Sequence, residues 1–525
     1  MRFPAWTNRA LDWRRDFEPH LSLAGQVRTG PASFKGLPVD SVRSSLHFDA
    51  GRWRLPDLAT TRPEGAQAVD IDYDKASGEY RIAGRGRVLP PVLKPVLGEA
   101  SAEVLDLFTF PDGVEADVVV FGPWTEGSRM SIAGVLAATN LTFRGERFDA
   151  LSLGARYTNR LMVLTNLAAA RDGAPLTADA AAYDFAADRV FLTNAVSRLE
   201  PLLLARLINE EFPEKIRHYQ FSRPPRIVAN GTFERARTDT AAMRFQVDGE
   251  DFAFWKLRAS HVMADLDWAG GWLTLTNLNA SFYDGALDGW AAFQVDAAGG
   301  DTPYRFDARV RSGRLGPLVR DAASSQTQLE GTFDLELHVT SALTSDVMTW
   351  NGHGQASLTN GLIWDVPIFG FLSRTLDAVS PGLGSQRFDR AAATFTLADG
   401  VFRTTDLQMH SPLVRLDYRG TVDLEARIDT RVEARVLRNL SVLGPLVSLV
   451  TAPLTKLFEF RVTGTLAEPE PQPVYVPKFL FWPFQALGWV AGGFRSGDRD
   501  DDNALSNVVT NAPAAAMVRK KSLAV

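Results

Sequence analysis

Residues 415–436 read RLDYRGTVDLEARIDTRVEARV, a run in which polar and apolar residues alternate. The odd positions from Arg415 to Arg435 carry every charge in the run, and the even positions carry its bulky apolar side chains. A period of two places these sets on opposite faces of a β-strand. The run therefore predicts a sheet with one charged face and one apolar face.

The length of this run constrains its structure. Strands usually hold about 3–10 residues, whereas a single strand here would extend for roughly 70 Å at about 3.3 Å per residue. The run is therefore either two strands joined by a tight turn or one long, bent ribbon. Its apolar face is either the interior of a closed sandwich or the floor of an open groove.

Glycine-rich and aromatic motifs stand on both sides of the run. They are Gly352-His353-Gly354, Thr359-Asn360-Gly361-Leu362-Ile363, Arg387-Phe388-Asp389 and Phe460-Arg461-Val462-Thr463-Gly464-Thr465-Leu466. The order of these motifs between Asn351 and Leu466 resembles the AsmA-like C-terminal region of bacterial envelope proteins of the AsmA, TamB and YhdP type. That family is in turn similar to long, groove-shaped proteins that carry phospholipids between membranes.

Two short motifs recur along the chain in step with each other. A Leu-x-Pro motif followed by two aliphatic residues occupies residues 89–93, 199–203, 315–319 and 443–447. An Asp-Leu or Asn-Leu pair precedes each one, at Asp57-Leu58, Asn166-Leu167, Asn277-Leu278 and Asp406-Leu407. Recurrence of a supersecondary unit is typical of quasi-one-dimensional assemblies.

These observations predict a mainly β protein made of elongated, tandem antiparallel β units, groove-like or sandwich-like, with one short helix per unit. We expect the helices near residues 90–107, 199–217, 316–322 and 440–457, where proline suits a first helical turn. The predicted segments are an amphipathic N-terminal segment (1–20), three β repeat units (21–110, 111–220, 221–328), an AsmA-like C-terminal β unit (329–468), a Pro-rich linker with an aromatic segment (469–494) and a disordered tail (495–525).

Composition excludes several classes of function. The net charge of −6 argues against nucleic-acid binding, which requires a basic face. The chain has no cysteine, so disulfides and thiolate metal sites are excluded. No secretory signal or transmembrane helix is visible, because the longest uncharged runs, 439–455 and 479–494, are broken by proline and shorter than about 20 residues. Family members usually begin with a transmembrane helix, and this chain departs from that pattern.

The sequence offers no chemistry that we can assign to catalysis. None of the seven histidines lies three or four residues from another, and no nucleophile or phosphate-loop motif occurs. The carboxylates of residues 415–436 alternate with arginines, and cross-strand ion pairs explain such a pattern. We therefore expect no enzymatic activity, no metal and no cofactor.

The family resemblance favours lipid handling by an envelope protein on the periplasmic side of the inner membrane. Its expected partners are phospholipid, a membrane surface and other envelope proteins, and its role is to conduct phospholipid or to support outer-membrane biogenesis. The candidate lipid-groove residues are Leu416, Tyr418, Val422, Leu424, Ile428, Val432 and Val436. A structural scaffold with closed cores is the alternative. A carbohydrate-acting β protein is a third hypothesis, weakened because the tryptophans are scattered and no carboxylate pair stands beside them.

An aromatic segment near the C-terminus carries the second candidate site. Its membrane-contact candidates are Phe479, Phe481, Trp482, Phe484 and Trp489. Trp482 and Trp489 are seven residues apart, so they share a face if the segment is helical. The alternative is that these aromatic side chains cover the open end of the last β unit.

Overall fold

One antiparallel β-sheet of 27 strands dominates the structure, which is a computed structural model. The prediction of a mainly β, antiparallel fold is confirmed. The structure describes residues 12, 16–34, 37–62, 65–91, 105–125, 129–208, 216–217, 219–234, 237–254, 256–295, 301–323, 329–362, 372–373, 387–412, 414–436, 455–466 and 468–475.

The first strands follow a short 3-10 helix, Glu18–His20. They are β1 (Ser22–Thr29), β2 (Ala32–Phe34), β3 (Leu37–Val39), β4 (Ser41–Asp49), β5 (Arg52–Arg62), β6 (Gly65–Asp74), β7 (Glu79–Val88), β8 (Phe108–Thr109) and β9 (Val114–Pro123). Most of the predicted N-terminal amphipathic segment lies outside the described residues.

Two helices interrupt the strands in the middle of the chain. The elements there are β10 (Ser131–Phe143), β11 (Glu146–Thr158), β12 (Leu161–Arg171), β13 (Ala174–Asp184), β14 (Arg189–Ser197), α1 (Pro201–Ile208), β15 (Tyr219–Phe221), β16 (Arg226–Glu234), β17 (Arg237–Phe254), β18 (Leu257–Ala269), β19 (Trp272–Phe282), β20 (Gly285–Gln294), β21 (Pro303–Arg314) and α2 (Leu315–Ala323). These two match the second and third predicted helices, while the first and fourth lie mostly outside the described residues.

The last eight strands complete the sheet. They are β22 (Glu330–Leu343), β23 (Asp346–Leu362), β24 (Phe388–Ala398), β25 (Val401–His410), β26 (Val414–Asp423), β27 (Ile428–Val436), β28 (Thr455–Gly464) and β29 (Pro469–Tyr475).

The sheet is a meander in which nearly every strand pairs with the next one along the chain. Strands β2 and β3 form a separate hairpin, so β1 pairs with β4. The short strands β8 and β15 pair with β10 and β17. Strands β1 and β29 each have one neighbour, which leaves the sheet open at both ends. Residues up to Tyr475 form one compact unit, and the boundaries between repeat units stay a prediction.

The strand ends form two rims of different character. At the rim we call the turn rim, short connections such as those after β4, β18 and β24 join the strands. At the opposite rim, the helix rim, the chain inserts α1 between β14 and β15 and α2 between β21 and β22. The four Leu-x-Pro motifs follow β7, β14, β21 and β27 in the chain, and all four of these strands end at the helix rim.

The Asp-Leu and Asn-Leu pairs mark irregularities in the ladders. The register shifts at Leu58, Leu278 and Leu407, and Asn166 and Asn277 adopt φ values of 49° and 50°. Asparagine tolerates this left-handed conformation better than most residues. The recurring pair therefore sets a β-bulge two strands before each Leu-x-Pro motif.

The alternating run consists of two strands and a turn. Strands β26 and β27 pair from Val414↔Val436 to Val422↔Ile428, and residues 424–427 connect them. The first of the two predicted structures is therefore correct. Leu424 lies in the turn, where its side chain is 38% exposed, so it does not continue the apolar face.

The predicted linker begins too early. Residues Pro469–Tyr475 form β29, which pairs with β28 from Gly464↔Pro469 to Glu459↔Tyr475. Prolines at alternate positions lack their N–H on the same side of a strand, so the other side remains free to pair. This composition suits an edge strand as well as a linker.

Glycines on the apolar face bring neighbouring strands close together. A Cβ atom on Gly352 would lie 1.9 Å from the carbonyl oxygen of His338, and one on Gly420 would lie 2.2 Å from that of Asp429. Two backbones can approach this closely because glycine has no side chain to collide with the neighbouring strand.

We predict that Gly352→Ala lowers stability by about 1–3 kcal/mol, because the added methyl group displaces the backbone of β22. Gly25→Ala in β1 is the matched control, since no atom lies within 4 Å of its Cβ position. Thermal melting followed by circular dichroism measures both. Equal melting temperatures for the two variants would contradict the close approach of β22 and β23.

Candidate functional site

The strand register builds a continuous apolar row across the sheet. Residues directly opposite one another in β5–β7, β9–β14 and β16 are Leu55, Ile71, Ile82, Val120, Ile132, Tyr157, Met162, Tyr183, Val190 and Phe233. A second row on the same face continues from β16 to β27 through Ala229, Phe245, Leu266, Leu275, Ala291, Phe306, Val339, Gly352, Leu397, Phe402, Val422 and Ile428.

The exposure of this face changes along the sheet. From Leu55 in β5 to Phe306 in β21, every residue of the two rows is half-buried. Beyond β21, Val339 and Leu397 are 2% and 3% exposed, whereas Phe402 and Val422 are half-buried like the earlier row. Met243 and Val310 on the same face are also buried, so the apolar face is partly covered over these fifteen strands and more fully covered near its C-terminal end.

Helix α1 covers one part of this face at the helix rim. Its Leu203, and Leu199 just before it, pack in one apolar cluster with Leu141 and Phe148 of β10 and β11. Arg206 of α1 donates to Glu146 Oε1 at 2.6 Å, and Arg171 of β12 donates to Glu146 Oε2 at 2.6 Å. Glu146 thus ties the helix to two strands.

Aromatic side chains line the opposite, turn rim of the same face. Three groups of neighbouring rings are Tyr73, Tyr80 and Trp124; Tyr157, Tyr183 and Phe185; and Phe293, Tyr304, Phe306 and Trp350. Burial raises the pKa of the hydroxyl groups of Tyr80 and Tyr304. Tyr and Trp present an apolar ring and a polar tip, which suits the boundary between an apolar surface and water.

The other face of the sheet carries cross-strand ion pairs. Arg85 contacts Asp117 at 2.6 Å, Arg244 contacts Asp267 at 2.9 Å, and Arg309 contacts Glu336 at 2.6 Å. Four of the five arginines of residues 415–436 also bind carboxylates, as Arg415 contacts Asp417 of its own strand at 2.8 Å. Ion pairing thus accounts for the alternation of charges in that run.

The candidate groove residues lie in the enclosed part of the apolar face. Leu416 and Val432 are 0% exposed, Tyr418 is 3% exposed and Ile428 is 5% exposed. Their side chains are packed core rather than an open surface, because no solvent reaches them. Val422 is half-buried, and the side chain of Val436 lies outside the described residues. Lipid contact by these residues stays a prediction.

The membrane-contact candidates Phe479, Phe481, Trp482, Phe484 and Trp489 lie outside the described residues. Among the helices that are described, none is long and apolar enough to cross a membrane. The described residues likewise contain no group of three or more His, Asp or Glu side chains that could hold a metal ion.

Cross-strand pairing brings together residues that the sequence keeps apart. His338 and His353 lie directly opposite each other on β22 and β23, with ring centroids 5.0 Å apart. His338 Nδ1 lies 2.8 Å from a carboxylate oxygen of Asp307. Helical spacing could not identify this pair, whereas an alignment of the two strands would have done so.

The fold defines an open antiparallel β-sheet protein with one apolar and one charged face. The model of the AsmA family matches residues 232–407, from β16 to β25. This confirms the resemblance, although the match begins well before Asn351. Residues 232–407 therefore match the AsmA family, which is associated with the cell envelope. This match suggests a role in membrane-related biogenesis. No curated protein matches the chain.

We predict that Glu146→Gln loosens α1 and lowers the melting temperature at neutral pH. The hydrogen bond from Arg171, opposed by burial and aided by Arg206, lowers the pKa of Glu146. A carboxyl group with a lowered folded-state pKa stabilises the fold above its unfolded pKa of about 4.3, and this stabilisation is lost as the pH falls through the folded value.

Melting temperatures measured between neutral and acidic pH test this sign. The difference between wild type and Glu146→Gln should shrink as the pH falls through the lowered pKa. Glu250→Gln, which removes an exposed ion pair with Arg223, is the control and should change little. A Glu146→Gln effect that is independent of pH would argue against the ionic tie.

Proposed function

We propose that this protein binds phospholipid acyl chains on its apolar sheet face, without enzymatic activity, and thereby conducts phospholipid between membranes or supports outer-membrane biogenesis. We place it on the periplasmic side of the inner membrane. The observation that carries the proposal is the apolar row whose residues are all half-buried, and none fully enclosed, from β5 to β21. The AsmA family match is consistent with such a role in the cell envelope.

The dimensions of the accessible face suit a lipid. Neighbouring strands are about 4.8 Å apart, so fifteen strands extend for roughly 70 Å measured along the sheet. Each methylene removed from water contributes about 0.8 kcal/mol. Acyl chains could therefore bind anywhere along the row by the area they cover, and such binding tolerates different chain lengths.

The rims supply the two boundaries that a lipid-binding face needs. Helix α1 closes the helix rim over β9 to β12, whereas short turns leave the turn rim accessible. The aromatic groups at the turn rim carry hydroxyl and indole groups next to apolar rings. Headgroups facing the turn rim would meet these polar tips while the acyl chains cover the row.

A structural scaffold remains the second candidate, and the enclosed C-terminal end favours it. Leu416, Val432 and Phe458 are 0% exposed, which is typical of a closed core. A scaffold would nevertheless leave the half-exposed row without a partner. Contiguous apolar surface of this extent usually marks a binding site.

We expect the purified protein to carry phospholipid, and the double variant Ile82→Asp/Ile132→Asp to lose more than about half of it, because a carboxylate is costly in an apolar environment. Mass spectrometry of extracted lipid measures the amount. The matched control is Ala83→Asp/Ala133→Asp, which places the same charges one residue along, on the opposite face.

Circular dichroism first establishes that both double variants fold. Equal lipid content in the two folded variants would contradict binding on this face, and lipid-free wild-type protein would favour the scaffold.

We also propose that residues 479–494 contact a membrane surface. Burial of three aromatic side chains at about 1.5–3 kcal/mol each permits reversible association. A chain ending at Pro477 should therefore float less with liposomes than the full chain. Equal flotation would contradict membrane contact, and a lowered melting temperature of the shortened chain would favour the alternative that the segment covers the last β unit.

A further inference from the structure

A row of arginines crosses three neighbouring strands on the charged face. Arg419 of β26 lies directly opposite Arg431 of β27, which lies directly opposite Arg461 of β28. Arg403 of β25 lies on the same face, opposite Thr421. These four arginines line a shallow cavity of about 380 Å³ together with Thr421 and Asp429.

The protein neutralises only part of this charge. Arg461 donates two hydrogen bonds to Asp429, at 3.0 and 2.8 Å, and Arg431 lies 3.3 Å from Glu459. Within the described part of the chain, the exposed side chains of Arg403 and Arg419 form neither an ion pair nor a hydrogen bond. Four cations thus face two carboxylates.

This arrangement differs from several cross-strand pairs elsewhere on the same face, although Arg415 also lies directly opposite Arg435. Like charges directly opposite each other destabilise a sheet, whereas opposite charges stabilise it, by about 0.2–1 kcal/mol per pair. Arg85 lies opposite Asp117, Arg244 opposite Asp267 and Arg309 opposite Glu336. By contrast, none of Arg419, Arg431 and Arg461 has a carboxylate among its directly opposite partners.

A second charged row limits what the cavity can hold. Asp417, Glu433 and Glu459 lie directly opposite one another, two residues along the same three strands and on the same face. Their side chains are 9%, 19% and 12% exposed. An extended polyanion would meet these carboxylates, so the site favours a compact anion.

We propose that Arg403, Arg419, Arg431 and Arg461 form a binding site for a phosphate group. Guanidinium groups bind phosphate through paired, parallel hydrogen bonds, and several can share the oxygens of one multiply charged group. Backbones about 4.8 Å apart bring three guanidinium groups from neighbouring strands within reach of one such group. The site lies on the face opposite the apolar row and does not depend on lipid binding there.

Calorimetric titration with pyrophosphate at low salt tests the site on the full chain. Wild type should bind, Arg419→Gln should bind about tenfold more weakly or worse, and Arg403→Gln/Arg419→Gln should not bind measurably. Arg147→Gln is the matched control, because Arg147 is an exposed arginine on the same face of β11, outside the row. It should bind as wild type does.

Co-sedimentation with phosphatidylcholine vesicles, with and without phosphatidic acid, distinguishes a lipid headgroup from a free phosphate. Binding that requires phosphatidic acid and Arg419 would support the site with a headgroup as the source, and binding of pyrophosphate alone would support it with a soluble phosphate.

Arg419→Gln should also melt no lower than wild type without ligand, since it removes a like-charge neighbour. Absence of binding to both probes, or an equal loss in Arg147→Gln, would overturn the proposal.

Discussion

The structure depends on strand register. A shift of one residue moves every side chain of a strand to the other face, yet the apolar row runs from Leu55 to Ile428 without changing face. Bulges with residues such as Asn166 and Asn277 in the left-handed conformation absorb single extra residues locally. Each bulge therefore preserves the separation of the two faces, and the whole sheet depends on that separation.

Each face is stabilised by a different interaction. Ion pairs between arginines and carboxylates on neighbouring strands stabilise the charged face. Apolar contacts, including those made by α1, stabilise the opposite face. The alternating prolines of β29 limit pairing at the last edge of the sheet. Because the sheet is open, both edge strands need protection against pairing with another chain. The first edge strand, β1, is exposed along its whole length.

Local sequence predicted the elements well and their burial poorly. Alternation in residues 415–436 predicted β26 and β27, and the recurring Leu-x-Pro motif predicted where helices interrupt the strands. Leu416 and Ile71 have the same pattern around them, but one is enclosed and the other half-exposed. Burial depends on what packs above a face, and alternation carries no information about that. The sequence alone does not reveal the arginine row for a related reason. Arg419 and Arg461 come near each other only because β27 pairs with both of their strands.

The apolar face is more fully buried near the C-terminal end of the sheet than between β5 and β21. This difference bears on function. Each Å² of apolar surface left in water costs about 25 cal/mol of stability. A protein without a ligand is therefore stabilised when its apolar face is covered. Leu397, Leu416 and Phe458 of β24–β28 are enclosed, whereas the apolar row from β5 to β21 is half-buried. The same antiparallel meander builds both parts, so the strand order alone does not determine how far the face is covered. An apolar ligand that covers the half-buried row would remove this cost, which is the physical basis of the lipid-binding proposal.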